Sequence, residues 1–205
     1  MTPDDLERAL ARSAPPADRD AAAAAARRLA ERAAAEQLAD LTYTLVPSPL
    51  GELAAVGSRR GLLCLAFDPE HIDELLETLS ASVSPRIVES HASFDALQRQ
   101  LDEYFAGRRR RFELPLDWTL TRGFTRKVLR ATARIPYGRA STYAEMATKA
   151  GSPRAVRAAG NALGANPIPI IVPCHRVLRT GGGLGGYGGG LERKEFLLKL
   201  EGVLM

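Results

Sequence analysis

The 205-residue sequence has little cysteine, histidine or tryptophan: two cysteines, three histidines and one tryptophan. Two thiols, Cys64 and Cys174, cannot build the disulfide framework of a small secreted protein, so we expect a reducing compartment. No apolar run is long enough to cross a bilayer, and no N-terminal stretch joins a cationic start to an apolar segment. These absences predict a cytoplasmic protein without membrane contact, long enough for one large domain or two small ones.

Acidic residues are also scarce in the C-terminal part of the chain. Residues 119–205 carry 14 basic and 4 acidic side chains, whereas residues 1–40 carry 6 and 8 and residues 41–118 carry 8 and 12. A net charge of +10 on one part of an otherwise acidic chain is typical of a domain that binds a polyanion. A solvated basic surface has the same balance, so charge alone leaves both interpretations open.

The N-terminal part predicts a helical extension and then a small α/β domain over residues 41–118. Residues 1–40, rich in alanine and arginine, predict two helical pieces broken at Pro15-Pro16. Three strand-like runs separated by turns indicate a three-stranded antiparallel sheet, and they cover residues 42–46, 53–56 and 62–67. Two runs with helical spacing follow, and they cover residues 70–82 and 94–105.

Residues 119–205 predict a mainly helical domain that contains a helix-turn-helix. Ser141 or Thr142 can cap one short helix, with Glu145 placed to complete a capping box from Thr142. Ser152 is placed to cap the next helix, with Pro153 at its first position, and this helix would present Arg154 and Arg157. An ordinary pair of helices gives the same pattern, and the positive charge favours the DNA-binding alternative.

Cys174 lies between two unusual segments. Residues 167–173 hold three prolines and predict a rigid, nearly extended arm, whereas eight of residues 180–190 are glycine, which suits close approach to a ligand. His175 could supply the base that a thiolate nucleophile needs. A free cysteine is more often a small buried hydrophobe, which is how we interpret Cys64. Local chemistry leaves both interpretations open for Cys174.

The segment from Asn166 to Val177, with its Pro-Cys-His-Arg core, closely resembles the signature of the O6-alkylguanine-DNA alkyltransferases, or methylated-DNA–protein-cysteine S-methyltransferases. The resemblance covers residues 123–202 strongly and residues 42–118 weakly, through Ser48-Pro-Leu-Gly51. It implies DNA repair in a single turnover, in which an alkyl group passes irreversibly from O6-alkylguanine, and also from O4-alkylthymine, to the protein. Residues 1–40 have no counterpart in the family's minimal form.

The resemblance also implies a role for each matching residue in the reaction. Cys174 would accept the alkyl group, His175 would act as base through a water, and Glu201 would orient that histidine. Asn166 would hold the site together by hydrogen bonds. Tyr187 and the glycine-rich loop would form a wall of the guanine pocket.

Further roles concern DNA. Tyr143 would donate a hydrogen bond to the leaving base and rotate a phosphate, and Arg157 would fill the stack after the nucleotide is flipped out. The expected partner is therefore double-stranded DNA carrying O6-alkylguanine, bound by a monomer. The candidates for phosphate contacts are Thr125, Ser152 and Thr180.

Some positions depart from the family pattern. Gly188 stands where a serine is frequent, so only its backbone N–H could serve, and this leaves the range of alkyl groups open. Ser58 and Leu63 stand where some members hold zinc, so we expect no metal, and we expect no cofactor. Three other functions stay open as alternatives: a lesion-binding protein without catalysis, which the acceptor cysteine argues against; a DNA-binding regulator; and a thiol hydrolase.

Overall fold

A computed structural model describes residues 16–204 of the chain. Helix α1 (Pro16–Ala35) begins at the second proline of the predicted break, as suits a residue that has no N–H to bond. The first of the two predicted helical pieces lies outside the described residues. Helix α1 is attached to the following domain through Glu31, whose carboxylate accepts hydrogen bonds from the Ser90 hydroxyl and, at 2.7 Å, from the His91 backbone N–H.

The N-terminal sheet contains the predicted antiparallel strands and one strand more. Strands β1 (Leu41–Val46), β2 (Leu53–Ser58) and β3 (Gly61–Ala66) are antiparallel, which confirms the predicted meander. Strand β4 (Ile87–Glu89) pairs with β1 in parallel and gives the order β3-β2-β1-β4. The sequence did not predict β4, because three residues are too few to show an alternating pattern.

The two faces of this sheet are both covered. Helices α2 (Ile72–Ser82) and α3 (Asp95–Phe105) each follow a short 3-10 turn and lie where helical spacing predicted them. Leu63 and its neighbours on one face pack against Leu79 of α2. Leu53 and Leu65 on the other face belong to a cluster that includes α3 and the C-terminal half, so one hydrophobic core joins the two halves.

The segment that links the halves is extended and lies against the edge of the sheet. Leu62 donates its N–H to the Pro115 carbonyl at 2.8 Å, and its carbonyl accepts from the Asp117 N–H at 2.8 Å. Gly61 has a φ of 127°, and a side chain there would collide with the Pro115 carbonyl. Glycine is therefore required where the link crosses the end of the strand.

The C-terminal half is mainly helical, and with the N-terminal sheet it confirms the predicted α/β fold class. Two strands of two residues each lie between its helices and pair with each other in parallel. No helix in the described part of the chain has the length and apolar character needed to cross a membrane. The elements are α4 (Gly123–Thr132), β5 (Ser141–Thr142), α5 (Tyr143–Lys149), α6 (Val156–Gly164), β6 (Val177–Leu178) and α7 (Leu191–Leu200).

Helix α5 has the predicted cap. The Thr142 hydroxyl accepts a hydrogen bond from the Glu145 N–H at 3.2 Å. The carboxylate of Glu145 does not close the capping box, because it accepts a hydrogen bond from the Ser141 hydroxyl instead. Thr142 is thus the residue that caps the helix. The Glu145 carboxylate bonds to the Ser141 hydroxyl and not to the backbone of Thr142, which a capping box would require.

Helix α6 begins later than predicted. It starts at Val156 with Ala155 at the cap position, so Ser152 does not cap it. Ser152 begins a separate turn, in which its carbonyl accepts from the Ala155 N–H at 2.9 Å. Arg154 therefore lies in that turn, and the prediction that the helix presents it is wrong. Arg157 lies in the first helical turn and is exposed.

Candidate active site

The arm before Cys174 is folded, not extended, so that prediction is wrong. The Ile171 N–H donates to the Pro169 carbonyl at 2.8 Å, and the Val172 N–H donates to the Ile168 carbonyl at 2.9 Å. Ile170, at the centre of this turn, is fully buried and has a φ of 70°, a strained conformation for a β-branched residue. The prolines stiffen the arm by fixing their own φ angles, and the tight turn is centred on Ile170.

Cys174 begins a 3-10 turn, Cys174–Arg176, and only 6% of it is exposed. Asn166 braces this turn. Its side-chain N–H₂ lies 3.1 Å from the Cys174 Sγ and 2.8 Å from the Val172 carbonyl, and its side-chain oxygen accepts from the Ile168 N–H at 3.1 Å. One amide therefore fixes both the arm and the thiol.

His175, the residue after the cysteine in sequence, forms a buried pair with Glu201 at the end of α7. The Nε2 of His175 lies 3.0 Å from the Glu201 Oε1, and neither side chain is exposed. An ionised carboxylate only accepts hydrogen bonds, so Nε2 carries the proton and donates it. The Nδ1 of His175 is then a free acceptor, and no atom among the described residues hydrogen-bonds to it.

The Glu201 carboxylate has three further partners, of which the Gly138 backbone N–H is the most distant, at 3.4 Å from Oε2. The Arg176 guanidinium donates to both of its oxygens at 2.8 Å, and the Tyr104 hydroxyl donates to Oε1 at 2.6 Å. Burial by itself would raise the pKa of Glu201, but the hydrogen bonds from His175 and Arg176 outweigh it and hold that pKa at about 2. Burial also lowers the pKa of His175, although Glu201 opposes this, so the imidazole is neutral at pH 7.

The Cys174 thiol is protonated in this environment. Burial raises its pKa to about 11, against the opposing effects of the Asn166 hydrogen bond and the charge of Lys194. Lys194 is itself fully buried on α7, where its ammonium donates to three backbone carbonyls, including that of Val177 at 2.7 Å. Burial lowers the Lys194 pKa to about 8. The site thus needs a base to remove the thiol proton.

The thiol opens on a cavity of 450 Å³, the size of a small ligand site. Tyr143 stands on one side and donates its hydroxyl to the Gly186 carbonyl at 3.4 Å, and burial raises its pKa. Tyr187 stands on another side, with its ring edge toward His175 at 6.4 Å between centroids and its hydroxyl buried. Gly188 also lines the cavity and is exposed.

Two glycines allow the glycine-rich loop, residues 180–190, to approach the aromatic rings around the cavity. Gly185 has a φ of 69°, and a side chain there would collide with the Tyr143 hydroxyl. A side chain at Gly189 would collide with Phe67, whose ring packs edge-on against Tyr187 at 5.9 Å between centroids. The glycine-rich loop is therefore positioned by contacts with both halves of the chain, through Tyr143 in one and Phe67 in the other.

The other predicted residues lie outside this cavity. Arg157 is on α6, one helical turn before Gly160, which lines the cavity. Thr125 is half-buried in the first part of α4, Ser152 is half-buried in the turn before α6, and Thr180 is exposed at the start of the glycine-rich loop. The structure thus places Cys174, Tyr143 and Tyr187 around one cavity. Asn166 is bonded to the thiol from outside this lining, and the buried His175–Glu201 pair also lies outside it. The three phosphate-contact candidates lie apart from the cavity.

Sequence reasoning assigned no role to three buried polar side chains, those of Tyr104, Arg176 and Lys194. A lysine or arginine ordinarily lies on a solvated surface, so neither was expected inside the site. Arg176, two positions after Cys174, was the one of the three that the sequence placed near the thiol. Among residues 16–204, no group of three or more His, Cys, Asp or Glu side chains is placed to hold a metal ion.

Known proteins share both halves of this architecture. The family model for the ribonuclease-like domain of 6-O-methylguanine DNA methyltransferase matches residues 41–118, and that for its DNA-binding domain matches residues 123–203. A methylated-DNA–protein-cysteine methyltransferase of Methanosarcina barkeri is 41% identical over 159 residues, which cover 78% of this chain and 96% of that protein.

Solved structures agree with the sequence relatives. The O6-methylguanine methyltransferase of Mycobacterium tuberculosis is 37% identical, with a TM-score of 0.65 over 80% of this chain and 93% of that one. A structure of Mycobacterium tuberculosis OGT in complex with DNA is 38% identical, with a TM-score of 0.66 over 79% and 93%. The chain belongs to the 6-O-methylguanine DNA methyltransferase family.

Proposed function

We propose that this protein repairs DNA by moving the alkyl group of O6-alkylguanine onto Cys174, once per protein molecule. The observation that carries the proposal is a braced cysteine at the edge of a 450 Å³ cavity, followed in the chain by a histidine that forms a buried pair with Glu201. The names of the relatives, methylated-DNA–protein-cysteine methyltransferases, support the same reaction. We extend the proposal to O4-alkylthymine by the resemblance to the family.

The first step is removal of the thiol proton. Because the Nε2 of His175 is held by Glu201, the proton passes to Nδ1, through a water that bridges it to the Cys174 Sγ. The imidazolium that forms is stabilised by the Glu201 carboxylate, which the Arg176 guanidinium keeps ionised. The resting thiol, with its pKa of about 11, becomes a thiolate only as this base acts.

The second step is displacement at the alkyl carbon. A lone pair of the thiolate forms the S–C bond, and the electron pair of the C–O6 bond goes to the guanine oxygen. The proton taken from the thiol returns from His175 to the guanine, which leaves as the normal base. The thioether is stable and no group regenerates the thiol, so each protein acts once.

The cavity walls serve the leaving base. The Tyr143 hydroxyl keeps its proton at neutral pH, because burial raises its pKa, and so it donates a hydrogen bond as the base gains charge. Tyr187 and the backbone N–H of Gly188 form the opposite wall. Asn166 holds the thiol and the arm in position.

The partner is double-stranded DNA from which the damaged nucleotide is flipped out. Arg157 enters the stack, and alanines on the same helix allow close approach to the minor groove. Thr125, Ser152 and Thr180 are proposed to contact phosphates, which would dominate an affinity that does not depend on sequence.

Location and assembly follow from the same site. A free thiol persists in a reducing compartment, so we propose the cytoplasm. The acceptor, base and orienting carboxylate all come from one chain, so we propose that the protein acts as a monomer. Residues 1–40, 41–118 and 119–205 are proposed as the helical extension, the N-terminal domain and the domain that carries DNA binding and chemistry.

The test is incubation of the protein with a duplex that holds one O6-methylguanine, followed by intact-protein mass measurement. The wild type and Cys64→Ala should each gain one methyl group, and Cys174→Ala should gain none. Cys64 is the matched control, since it is the other free buried thiol.

The alternatives predict different results. A wild-type protein that binds the damaged duplex and gains no methyl would be a lesion binder, and the transfer proposal would fail. Selective binding to an undamaged sequence would favour a regulator, and repeated turnover of an ester would favour a thiol hydrolase.

A further inference from the structure

The carboxylate behind the cysteine is held by a hydroxyl from the other half of the chain. Tyr104 lies on α3 and is fully buried, and its hydroxyl donates to the Glu201 Oε1 at 2.6 Å across 97 residues of sequence. Its ring packs against Phe112 and Tyr137, at 5.1 and 6.1 Å between centroids. An apolar ring would fill this aromatic site equally well, so packing alone does not explain the hydroxyl.

The same oxygen also holds the base. Oε1 accepts from the His175 Nε2 at 3.0 Å and from the Arg176 guanidinium at 2.8 Å, so three donors converge on one atom. Each donor partly neutralises the negative charge on that oxygen. When one donor is removed, the hydrogen bonds from the remaining donors become stronger. Tyr104 therefore competes directly with His175 for Glu201.

Other charged and titratable groups surround the pair. The Tyr137 hydroxyl donates to the Leu200 carbonyl at 2.8 Å and does not touch the carboxylate. The groups that face His175 or Glu201 from all packed elements are Cys174 and Arg176 on the 3-10 turn, Tyr104 on α3, Tyr137 after α4, Tyr187 on the glycine-rich loop and Lys194 on α7. Of these tyrosines, only Tyr104 hydrogen-bonds to the carboxylate.

We propose that Tyr104 is a positioning residue for alkyl transfer, whose hydroxyl fixes Glu201 and thereby sets how readily His175 takes a proton. The inference rests on the proposed function of Cys174. It assigns to residues 41–118 a direct part in the chemistry of the C-terminal half, through one hydrogen bond. Loss of that bond makes Oε1 a stronger acceptor for the imidazolium, so the pKa of His175 rises.

The test compares Tyr104→Phe with Tyr137→Phe. Each change removes one hydroxyl from the same aromatic cluster, and only the first removes a bond to Glu201. Single-turnover methyl transfer is measured from about pH 5 to pH 9, a range that contains the ordinary pKa of histidine. Melting temperatures show that each variant is folded.

Tyr104→Phe should move the acid limb of the rate profile to higher pH by about half a unit or more, about a threefold loss of rate on the acid side. Tyr137→Phe should leave the limb where the wild type has it. Tyr104→Leu should show the same displacement with a larger loss of melting temperature, because it lacks both hydroxyl and ring. Comparison of Tyr104→Leu with Tyr104→Phe separates the effect of losing the hydroxyl from the effect of losing the packing of the ring.

Two results would overturn the inference. One is an acid limb that does not move in Tyr104→Phe, even if the rate falls uniformly at every pH; the other is an equal displacement in Tyr137→Phe. A wild type that transfers no methyl group at any pH would instead refute the proposed function, so the two failures are distinguishable. The pKa of His175, measured by NMR in folded Tyr104→Phe, tests the inference without any need for activity, and a value equal to that of the wild type would contradict it.

Discussion

Replacing Glu201 by glutamine should destabilise the protein strongly, because it leaves a buried guanidinium without its counter-charge. Arg176 is 6% exposed and gives two hydrogen bonds to the carboxylate, and its third donates to the Ile135 carbonyl at 2.6 Å. A glutamine side chain offers one acceptor oxygen, and its amide would direct N–H groups at donors. With the amide oxygen in the place of Oε1, the N–H₂ group faces the Arg176 Nε; with the amide reversed, it faces His175 and Tyr104.

The expected loss follows from the burial of this cluster. Removing one partner of a buried ion pair costs about 3–5 kcal/mol in the free energy of unfolding. For a chain of this length, each kcal/mol lowers the melting temperature by about 2–4 °C, so the fall should be about 6–20 °C. The transfer rate should fall too, since His175 loses the group that fixes its tautomer.

The assay is thermal and urea unfolding of Glu201→Gln beside Glu36→Gln. Glu36 pairs with Arg32 at 2.7 Å on the surface, where the side chains are 49% and 75% exposed, so its loss should cost no more than about 0.5 kcal/mol. A Glu201→Gln protein that melts within about 2 °C of the wild type would refute the electrostatic account of this cluster.

Three other perturbations have defined outcomes. Gly185→Ala should slow transfer at least about tenfold by displacing Tyr143, whereas Gly186→Ala, with open space around it, should not. The transfer rate should be constant near neutral pH and fall on the acid side with a midpoint below 6.5, because burial lowers the pKa of His175 and only its neutral form accepts the proton. Arg157→Ala should slow transfer from duplex DNA about tenfold or more and leave transfer from the free alkylated base unchanged, since only the duplex requires flipping.

Each of these outcomes can be contradicted by a matched measurement. Equal rates for the two glycine variants would remove the steric argument, and an acid midpoint above 6.5 would show that burial does not govern the pKa of His175. Arg154→Ala is the control for Arg157, as Arg154 is exposed in the turn just before α6. If the two arginine changes slowed transfer from the duplex equally, Arg157 would act only as a phosphate contact and would not enter the base stack.

Acid stability tests the same carboxylate by linkage. The folded pKa of Glu201, about 2, lies below its unfolded value of 4.5, so its contribution is present above pH 4.5 and is lost as the pH falls toward 2. The difference corresponds to roughly 3 kcal/mol, since each pKa unit is worth about 1.36 kcal/mol. Glu201→Gln should therefore show a much weaker dependence of unfolding on pH in this range than the wild type, and an equal dependence would contradict the account.

Local signals in the sequence predicted most of the elements that build the fold. The three antiparallel strands, helices α2 and α3 and the Thr142 cap depend on spacing and turn residues within a few positions, and all are present. The strand β4 was missed because three residues are too few to show an alternating pattern. The start of α6 was misplaced because a separate turn over residues 152–155 precedes the helix. The γ-like turn at Ile170 was also unpredictable, since a β-branched residue strongly disfavours a positive φ.

The site itself was predicted in part. The resemblance to the family indicated Cys174, His175 and Glu201, whose roles stay predictions. Tyr104 and Lys194 could not be predicted, because their polar atoms are satisfied by partners far along the chain: a carboxylate 97 residues away for Tyr104, and carbonyls brought together by the glycine-rich loop and β6 for Lys194. Sequence spacing has no information on such contacts.

The stoichiometry of transfer in the presence of excess damaged duplex decides whether Cys174 is a single-use alkyl acceptor. Protein is mixed with a large excess of O6-methylguanine duplex, and methyl groups are counted per chain and located by peptide mass spectrometry. We expect a plateau at one methyl group per protein, carried by Cys174. A continued rise beyond one, or a methyl group on Cys64, would contradict it.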